Sequence, residues 1–95
     1  MRKYETIFIL RPNLEEETRK EAIAKFSGII AADGQIDRVD EWGNRKLAYE
    51  INKVKEGYYV YVTFKANPSL PMELERNYKI SDDVIRYIVI NKEDK

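Results

Sequence analysis

The hydrophobic and polar positions of the chain follow two periods, and each period predicts one kind of element. Residues 3–10 are mostly β-branched or aromatic and stop before Pro12, so they predict a strand. Residues 58–64 and 84–90 have the same character and predict two more strands. Both the even and the odd positions of the first strand are largely apolar, which indicates a central place in a sheet.

Two other segments repeat apolar residues at helical spacing. In the first helix, Asn13 is the predicted N-cap with Glu16 as its capping-box partner, and Gly34 is the predicted left-handed C-terminal cap. The second helix is expected to start with Ser69 or Asn67 as its cap. The apolar faces consist of Ala22, Ile23, Phe26, Ile29 and Ile30 in the first helix and of Leu70, Leu74 and Tyr78 in the second.

Residues 35–51 predict a long strand with an interruption. Ile36 is at an even position, whereas Leu47 and Tyr49 are at odd positions, so an unbroken strand would place them on opposite faces. A bulge near Gly43 and Asn44 would restore the register. The polar residues 53–57 predict a short loop, so this strand and the next should form a hairpin.

The predicted order is therefore β-α-β-β-α-β within a single domain, residues 1–95. We expect an α+β, ferredoxin-like split β-α-β fold, in which two helices cover one face of a four-stranded antiparallel sheet. The first and third strands should be central. The sheet face without helices should carry Ile7, Ile9, Tyr59 and Tyr61.

The composition removes most kinds of catalysis. The chain has no histidine and no cysteine, which excludes Ser-His-Asp and Cys-His nucleophiles and thiolate metal sites. Its four glycines are scattered and form no phosphate loop. The acidic residues Asp37, Asp40 and Glu41 are more typical of a solvated edge strand than of a metal site. We expect no catalytic residue, cofactor, metal or small-molecule substrate.

The same sequence gives no reason to expect a membrane protein. No apolar run approaches the about 20 residues that a membrane helix needs. The amino terminus leads directly into a strand and lacks the pattern of a signal peptide. Together with the lack of cysteine, this favours a cytoplasmic location.

Three other functions share this order of elements. An acylphosphatase would need a glycine-rich anion loop after the first strand, where this chain has Arg11 to Leu14 without a glycine. An RNA-recognition motif would align on Gly57, but Val60 then takes a base-stacking position and Glu56 replaces a basic residue. We therefore favour cross-strand packing of the tyrosines over base stacking. A ligand-sensing regulatory module is the third alternative.

Charge favours a local basic surface. Seventeen basic and 17 acidic residues give a net charge of zero, which argues against a protein that coats nucleic acid by itself. Basic residues nevertheless gather on strands that should lie close together. The candidates are Arg2, Lys3, Arg45, Lys46, Arg86 and Lys92.

Several segments resemble a known family, the bacterial sixth protein of the small ribosomal subunit. They are the opening Met-Arg-Lys-Tyr-Glu, Leu-Arg-Pro-Asn-Leu at 10–14, Arg-Lys-Leu-Ala-Tyr-Glu-Ile at 45–51 after Gly43, and Asp-Asp-Val-Ile-Arg-Tyr at 82–87. The resemblance runs over nearly the whole chain. Glu50 departs from it, because the family often has proline there.

The resemblance implies a structural protein of translation that binds the central domain of small-subunit (16S) ribosomal RNA. It also implies a heterodimer with the eighteenth small-subunit protein, which is small and basic. Such a partner would explain how a neutral chain binds RNA. The RNA-binding candidates are then the six basic residues above, and the partner-binding candidates on the uncovered face are Ile7, Ile9, Trp42, Tyr59 and Tyr61.

Overall fold

A computed structural model describes residues 1–51 and 53–92 and confirms the predicted order of elements. The elements are β1 (Arg2–Leu10), α1 (Glu16–Asp33), β2 (Gly34–Ile51), β3 (Val54–Ala66), α2 (Leu70–Ile80) and β4 (Val84–Asn91). The strands form an antiparallel sheet in the order β2-β3-β1-β4, so β1 and β3 are central as predicted. This is the ferredoxin-like α+β fold. Neither helix in the described part of the chain is long and apolar enough to span a membrane.

Three aromatic rings join the sheet to both helices. Phe8 of β1 lies 5.1 Å from Phe26 of α1 and 5.2 Å from Tyr78 of α2, and the last two rings are 4.7 Å apart, all measured between centroids. All three side chains are buried. Tilted and edge-to-face contacts of this kind add to the hydrophobic gain of burial. The even positions of β1 therefore face the helices, as the alternation predicted.

The one buried polar side chain of the described core, Thr6, is fully hydrogen-bonded. Its hydroxyl lies 3.1 Å from the hydroxyl of Tyr78 and donates to the carbonyl of Ile88 at 2.8 Å. Burial raises the pKa of the Tyr78 phenol well above its ordinary value, so it stays neutral. These bonds remove the cost of leaving a buried hydroxyl unsatisfied and connect β1 to α2 and β4.

The ends of α1 differ from the prediction. The helix starts at Glu16, and Glu15 is the cap residue without a side-chain cap bond, so the prediction of Asn13 as N-cap was wrong. Gly34 has φ −163°, which is extended rather than left-handed, because the chain passes directly into β2. A Cβ at Gly34 would lie 2.5 Å from the carbonyl oxygen of Lys65, so close approach of β3 explains this glycine. Ser69 is the cap residue of α2, also without a side-chain cap bond.

β2 is more irregular than predicted. Its pairing with β3 shifts between Ile36 and Arg38, between Glu41 and Gly43, and between Lys46 and Ile51. The middle shift, where Gly43 has φ +85°, confirms the predicted bulge. The last shift leaves residues 47–50 outside the ladder. The loop predicted at 53–57 was wrong, because β3 already begins at Val54.

Gly57 of β3 is a second glycine that close approach requires. A Cβ at this position would overlap the side chain of Ile9 and would lie 3.1 Å from the carbonyl oxygen of Leu10. In contrast, a Cβ on Gly28 in α1 would meet no atom within 4 Å. The lack of a side chain at Gly57 therefore makes room for Ile9 on the face opposite the helices.

Gly57→Ala should destabilise the protein by about 1–3 kcal/mol, because the added methyl group forces Ile9 and the backbone of β1 to move. Gly28→Ala is the matched control and should stabilise by about 0.5–1 kcal/mol, because alanine is the better helix former. The free energy of unfolding from urea titration measures both. Equal effects of the two substitutions would contradict the close approach.

Leu74→Ala should destabilise by about 2–5 kcal/mol, because its side chain is 0% exposed between α2 and the sheet and the substitution leaves a cavity. Met72→Ala on the same helix is the control. Met72 is 78% exposed, so its loss should change the free energy of unfolding by less than about 0.5 kcal/mol. A large effect at Met72 would mean that α2 packs by a different face.

Candidate protein and nucleic-acid interface

The sheet face without helices, here called the open face, carries the odd positions of β1 and β3. Ile7 pairs with Tyr61 and Ile9 pairs with Tyr59 across the two central strands. Trp42 of β2 packs on the same face. All five predicted partner-binding residues thus share one surface, and the predicted cross-strand packing of the tyrosines is confirmed.

An aromatic stack covers one side of the open face. The ring of Trp42 lies 6.3 Å from that of Tyr59 and 5.4 Å from that of Tyr61, with interplanar angles of 16° and 21°. The guanidinium of Arg45 lies 5.1 Å from the centre of the Trp42 ring. The faces of these rings are therefore turned toward one another. Trp42 therefore already occupies one face of each tyrosine ring, and Val60 is buried.

Hydrogen bonds fix the phenol group of Tyr61 in the stack and that of Tyr58 on the helix side of the sheet. The Tyr61 hydroxyl donates to Glu5 at 2.7 Å, and Lys92 lies 3.8 Å from the same carboxylate. The bond to Glu5, together with partial burial, raises the pKa of Tyr61. The Tyr58 hydroxyl likewise donates to Glu41 at 2.7 Å, and burial followed by this bond raises the pKa of Tyr58. Both phenols are thus held as neutral donors.

Residues 47–50, here called the covering segment, lie across the open face. Tyr49 accepts a hydrogen bond of 2.7 Å from Nη1 of Arg86, whose guanidinium is 5.4 Å from the centre of the Tyr49 ring. Because Arg86 belongs to β4 at the opposite edge of the sheet, the segment reaches over β3 and β1. Beneath it lies a cavity of about 210 Å³. The cavity is lined by Ile7, Ile9, Leu47, Tyr59, Arg86 and Ile88, among others.

The cavity corrects one expectation about the partner-binding candidates, which were chosen as exposed residues. Ile9 is only 6% exposed, because it packs against Gly57 and lines the cavity under the covering segment. No binding role was predicted for Leu47, Tyr49 or Ile88. The change from an even apolar position at Ile36 to an odd one at Leu47 indicated an interruption in β2. It did not indicate that residues 47–50 would cross the open face.

The six basic candidates form two groups rather than one cluster, which corrects the expected proximity. Arg2, Lys3 and Lys92 lie where β1 begins and β4 ends, since Tyr4 pairs with Asn91. The second group lies at the other end of the sheet and consists of Arg45, Lys46 and Arg86. At about 3.3 Å per residue, the length of β1 separates the groups by about 26 Å.

The second group is itself divided between faces. Arg45 pairs with Gly57 and lies on the open face, whereas the next residue, Lys46, points to the opposite side of β2. Arg86 lies on the open face opposite Ile9. A single flat nucleic-acid surface therefore does not include all six residues.

Other charged residues are engaged in local pairs. Arg11 binds Asp83 through Nη2 at 2.7 Å and Nε at 3.2 Å. Its guanidinium is therefore turned toward a carboxylate of this chain and not toward a site for an external anion. Arg38 pairs with Asp40 at 3.0 Å on the edge strand. Within residues 1–51 and 53–92, acidic side chains form no group of three that would hold a metal ion.

The chain is similar to proteins of one known family over nearly its whole length. A family model described as ribosomal protein S6 matches residues 3–91. The chain is similar to "Small ribosomal subunit protein bS6" of Clostridium novyi, with 60% identity over 94 residues that cover 98% of this chain and 99% of that one. The protein of the same name from Alkaliphilus oremlandii is 58% identical over 93 residues, again covering 98% and 99%.

A solved structure supports the same likeness in three dimensions. The fold is similar to the crystal structure of 30S ribosomal protein S6 from Thermotoga maritima, with a TM-score of 0.92 and 37% identity. The similarity covers 98% of this chain and 89% of that one. The fold is therefore shared with this solved structure, and each of the three matches covers 98% of the chain.

Proposed function

Because the chain belongs to the ribosomal protein S6 family, we propose that it binds the central domain of small-subunit (16S) ribosomal RNA as a heterodimer with the eighteenth small-subunit protein. Membership of the family makes the chain a structural constituent of the small subunit in the cytoplasmic ribosome, where it binds ribosomal RNA. It is a structural protein of translation and not an enzyme.

The observation that carries the proposed partner is the charge of the chain. Seventeen basic residues are balanced by 17 acidic ones, and several arginines are already paired with carboxylates. Phosphate binding draws its free energy from the release of counterions by clustered cations. A neutral domain with two separate basic groups provides few such cations. A small basic partner would supply the rest.

The composition of the open face also supports a protein partner. Tyrosine, tryptophan and arginine are enriched in protein interfaces, and Trp42, Tyr59 and Tyr61 occur together here. The stack and the bond from Tyr61 to Glu5 hold these side chains in place before binding. Little conformational entropy would be lost when a partner covers them.

For the RNA we propose two contact regions. Arg2, Lys3 and Lys92 form one, and Arg45 and Lys46 form the other, so phosphates would be bound at both ends of the sheet. Arg86 belongs to neither region, because its guanidinium is held by Tyr49. An RNA-recognition-motif function is not favoured, because Trp42 already stacks on both tyrosine rings and Val60, at a base-stacking position, is buried.

RNA affinity should depend on the partner. Binding to a central-domain RNA fragment should be much tighter in the presence of the purified eighteenth small-subunit protein, because the partner adds cations to the shared surface. The measurement is the dissociation constant by filter binding over a salt series, with each protein alone as the control. Equal affinities with and without the partner would contradict the proposed heterodimer.

Arg45→Ala should weaken RNA binding at saturating partner and lower the slope of log K against log salt by about one, as expected for the loss of one phosphate contact. Arg76→Ala is the matched control, because Arg76 lies on α2 in an ion pair with Glu73. It should leave the slope unchanged. An unchanged slope for Arg45→Ala would remove this residue from the RNA surface.

A further inference from the structure

We infer that the cavity under the covering segment receives one bulky apolar side chain of the protein partner, and that Arg86 at its rim binds a carboxylate of the same partner. This inference rests on the proposed function, since it assigns the place where the proposed partner docks. It makes Arg86 a protein-binding residue instead of an RNA-binding one.

The size and lining of the cavity fit a single side chain. Its volume of about 210 Å³ is below the range of about 300–1,000 Å³ that is typical of small-molecule sites. Ile7, Ile9, Leu47 and Ile88 give it a mostly apolar wall. An anchor side chain that fills such a pocket is the usual centre of a protein interface. Apart from Arg86 and Tyr49 at the rim, the cavity offers few polar groups to a phosphate or a ribose.

The positive charge of Arg86 at the rim of the cavity indicates which kind of partner residue would lie next to the apolar anchor side chain. Arg86 donates to the neutral hydroxyl of Tyr49, and no carboxylate among residues 1–51 and 53–92 forms an ion pair with it. A guanidinium has five N–H donors, so most of them are available to a ligand. Beside an apolar cavity, a carboxylate would be bound by a charge-assisted hydrogen bond. A partner with an apolar residue next to an acidic one complements both features.

The surroundings of Arg86 favour protein over RNA. On the open face, Arg86 is followed along β4 by the apolar residues Ile88 and Ile90. The β1 residues that pair with Arg86 and Ile88 are Ile9 and Ile7, which are apolar as well. RNA phosphates are bound by several cations along a backbone, whereas Arg86 is a single cation among isoleucines. Ile88, which is 42% exposed and lines the cavity, adds to the apolar surface that a protein partner could cover.

The covering segment has a construction that suits a binding site. Its ends are held by the pairs of Lys46 with Glu56 and of Ile51 with Val54, while the residues between lie outside the ladder. Tyr49, which is 60% exposed, ties the middle to Arg86. The segment can therefore adjust to a side chain without loss of strand pairing.

The experiment compares two affinities for the same variants. The first is the dissociation constant of the heterodimer without RNA, by calorimetry with the purified eighteenth small-subunit protein. The second is the affinity of the saturated heterodimer for the central-domain RNA fragment over a salt series. The variants are Arg86→Gln and Ile88→Ala. Their controls are Arg76→Gln on the helix side and Val39→Ala on the other edge strand, where Val39 is 40% exposed.

We expect each variant to weaken the heterodimer about tenfold, because one loses a charged hydrogen bond and the other loses apolar contact. The controls should change it by less than about twofold. Arg86→Lys should restore part of the affinity, because it keeps the charge. The heterodimer with Arg86→Gln should also respond less to salt than that of the unchanged protein, because an ion pair is lost. The RNA salt slope should be unchanged. Circular dichroism would verify that the variants are folded.

Two results would overturn the inference while the proposed function stands. If Arg86→Gln leaves the heterodimer unchanged but lowers the RNA salt slope by about one, its ligand is a phosphate. If both variants behave like their controls, the partner docks elsewhere. If the unchanged protein does not bind the partner at all, the proposed function fails and this assignment falls with it.

Discussion

The contact of Phe8 with Phe26 and Tyr78 is the interaction on which the rest of the structure depends. It joins the central strand β1 to both helices, so one sheet face is buried and the other is left open. Alternation along β1 then places Ile7 and Ile9 on the open face. A sheet that buries only one face must either expose polar residues on the other or use it for binding. This chain places isoleucines, tyrosines and a tryptophan there, and aromatic residues are enriched in protein interfaces.

Interactions within the chain hold the side chains of the open face in place. Trp42 stacks on two tyrosines, Glu5 fixes the phenol of Tyr61, and Tyr49 is tied to Arg86. Each contact already restricts the rotamers of a side chain. Less conformational entropy would therefore be lost if the face is covered on binding. Zero net charge is consistent with the proposed heterodimer, in which the partner would supply much of the attraction to phosphate.

Much of the fold could be predicted because it depends on periodicity. The helical spacing of Phe26 and Ile30, and of Leu74 and Tyr78, identified the buried helix faces correctly. Local details failed where a neighbouring strand decided them. Gly34 was expected to end a helix in a left-handed cap, but it is extended because β3 passes too close for a Cβ. A contact of this kind is invisible in a sequence, since it joins residues that are far apart in the chain.

The sequence by itself therefore determined the elements, their order, the faces of β1 and β3, and the absence of histidine and cysteine chemistry. These follow from the period of side chains and from composition, both of which are local. Only the tertiary structure decided that the basic residues form two groups and that residues 47–50 cross the open face to Arg86. The pairing of β1 with β4 sets the first outcome, and the bulges along β2 set the second. Both depend on contacts between strands, which no single residue reveals.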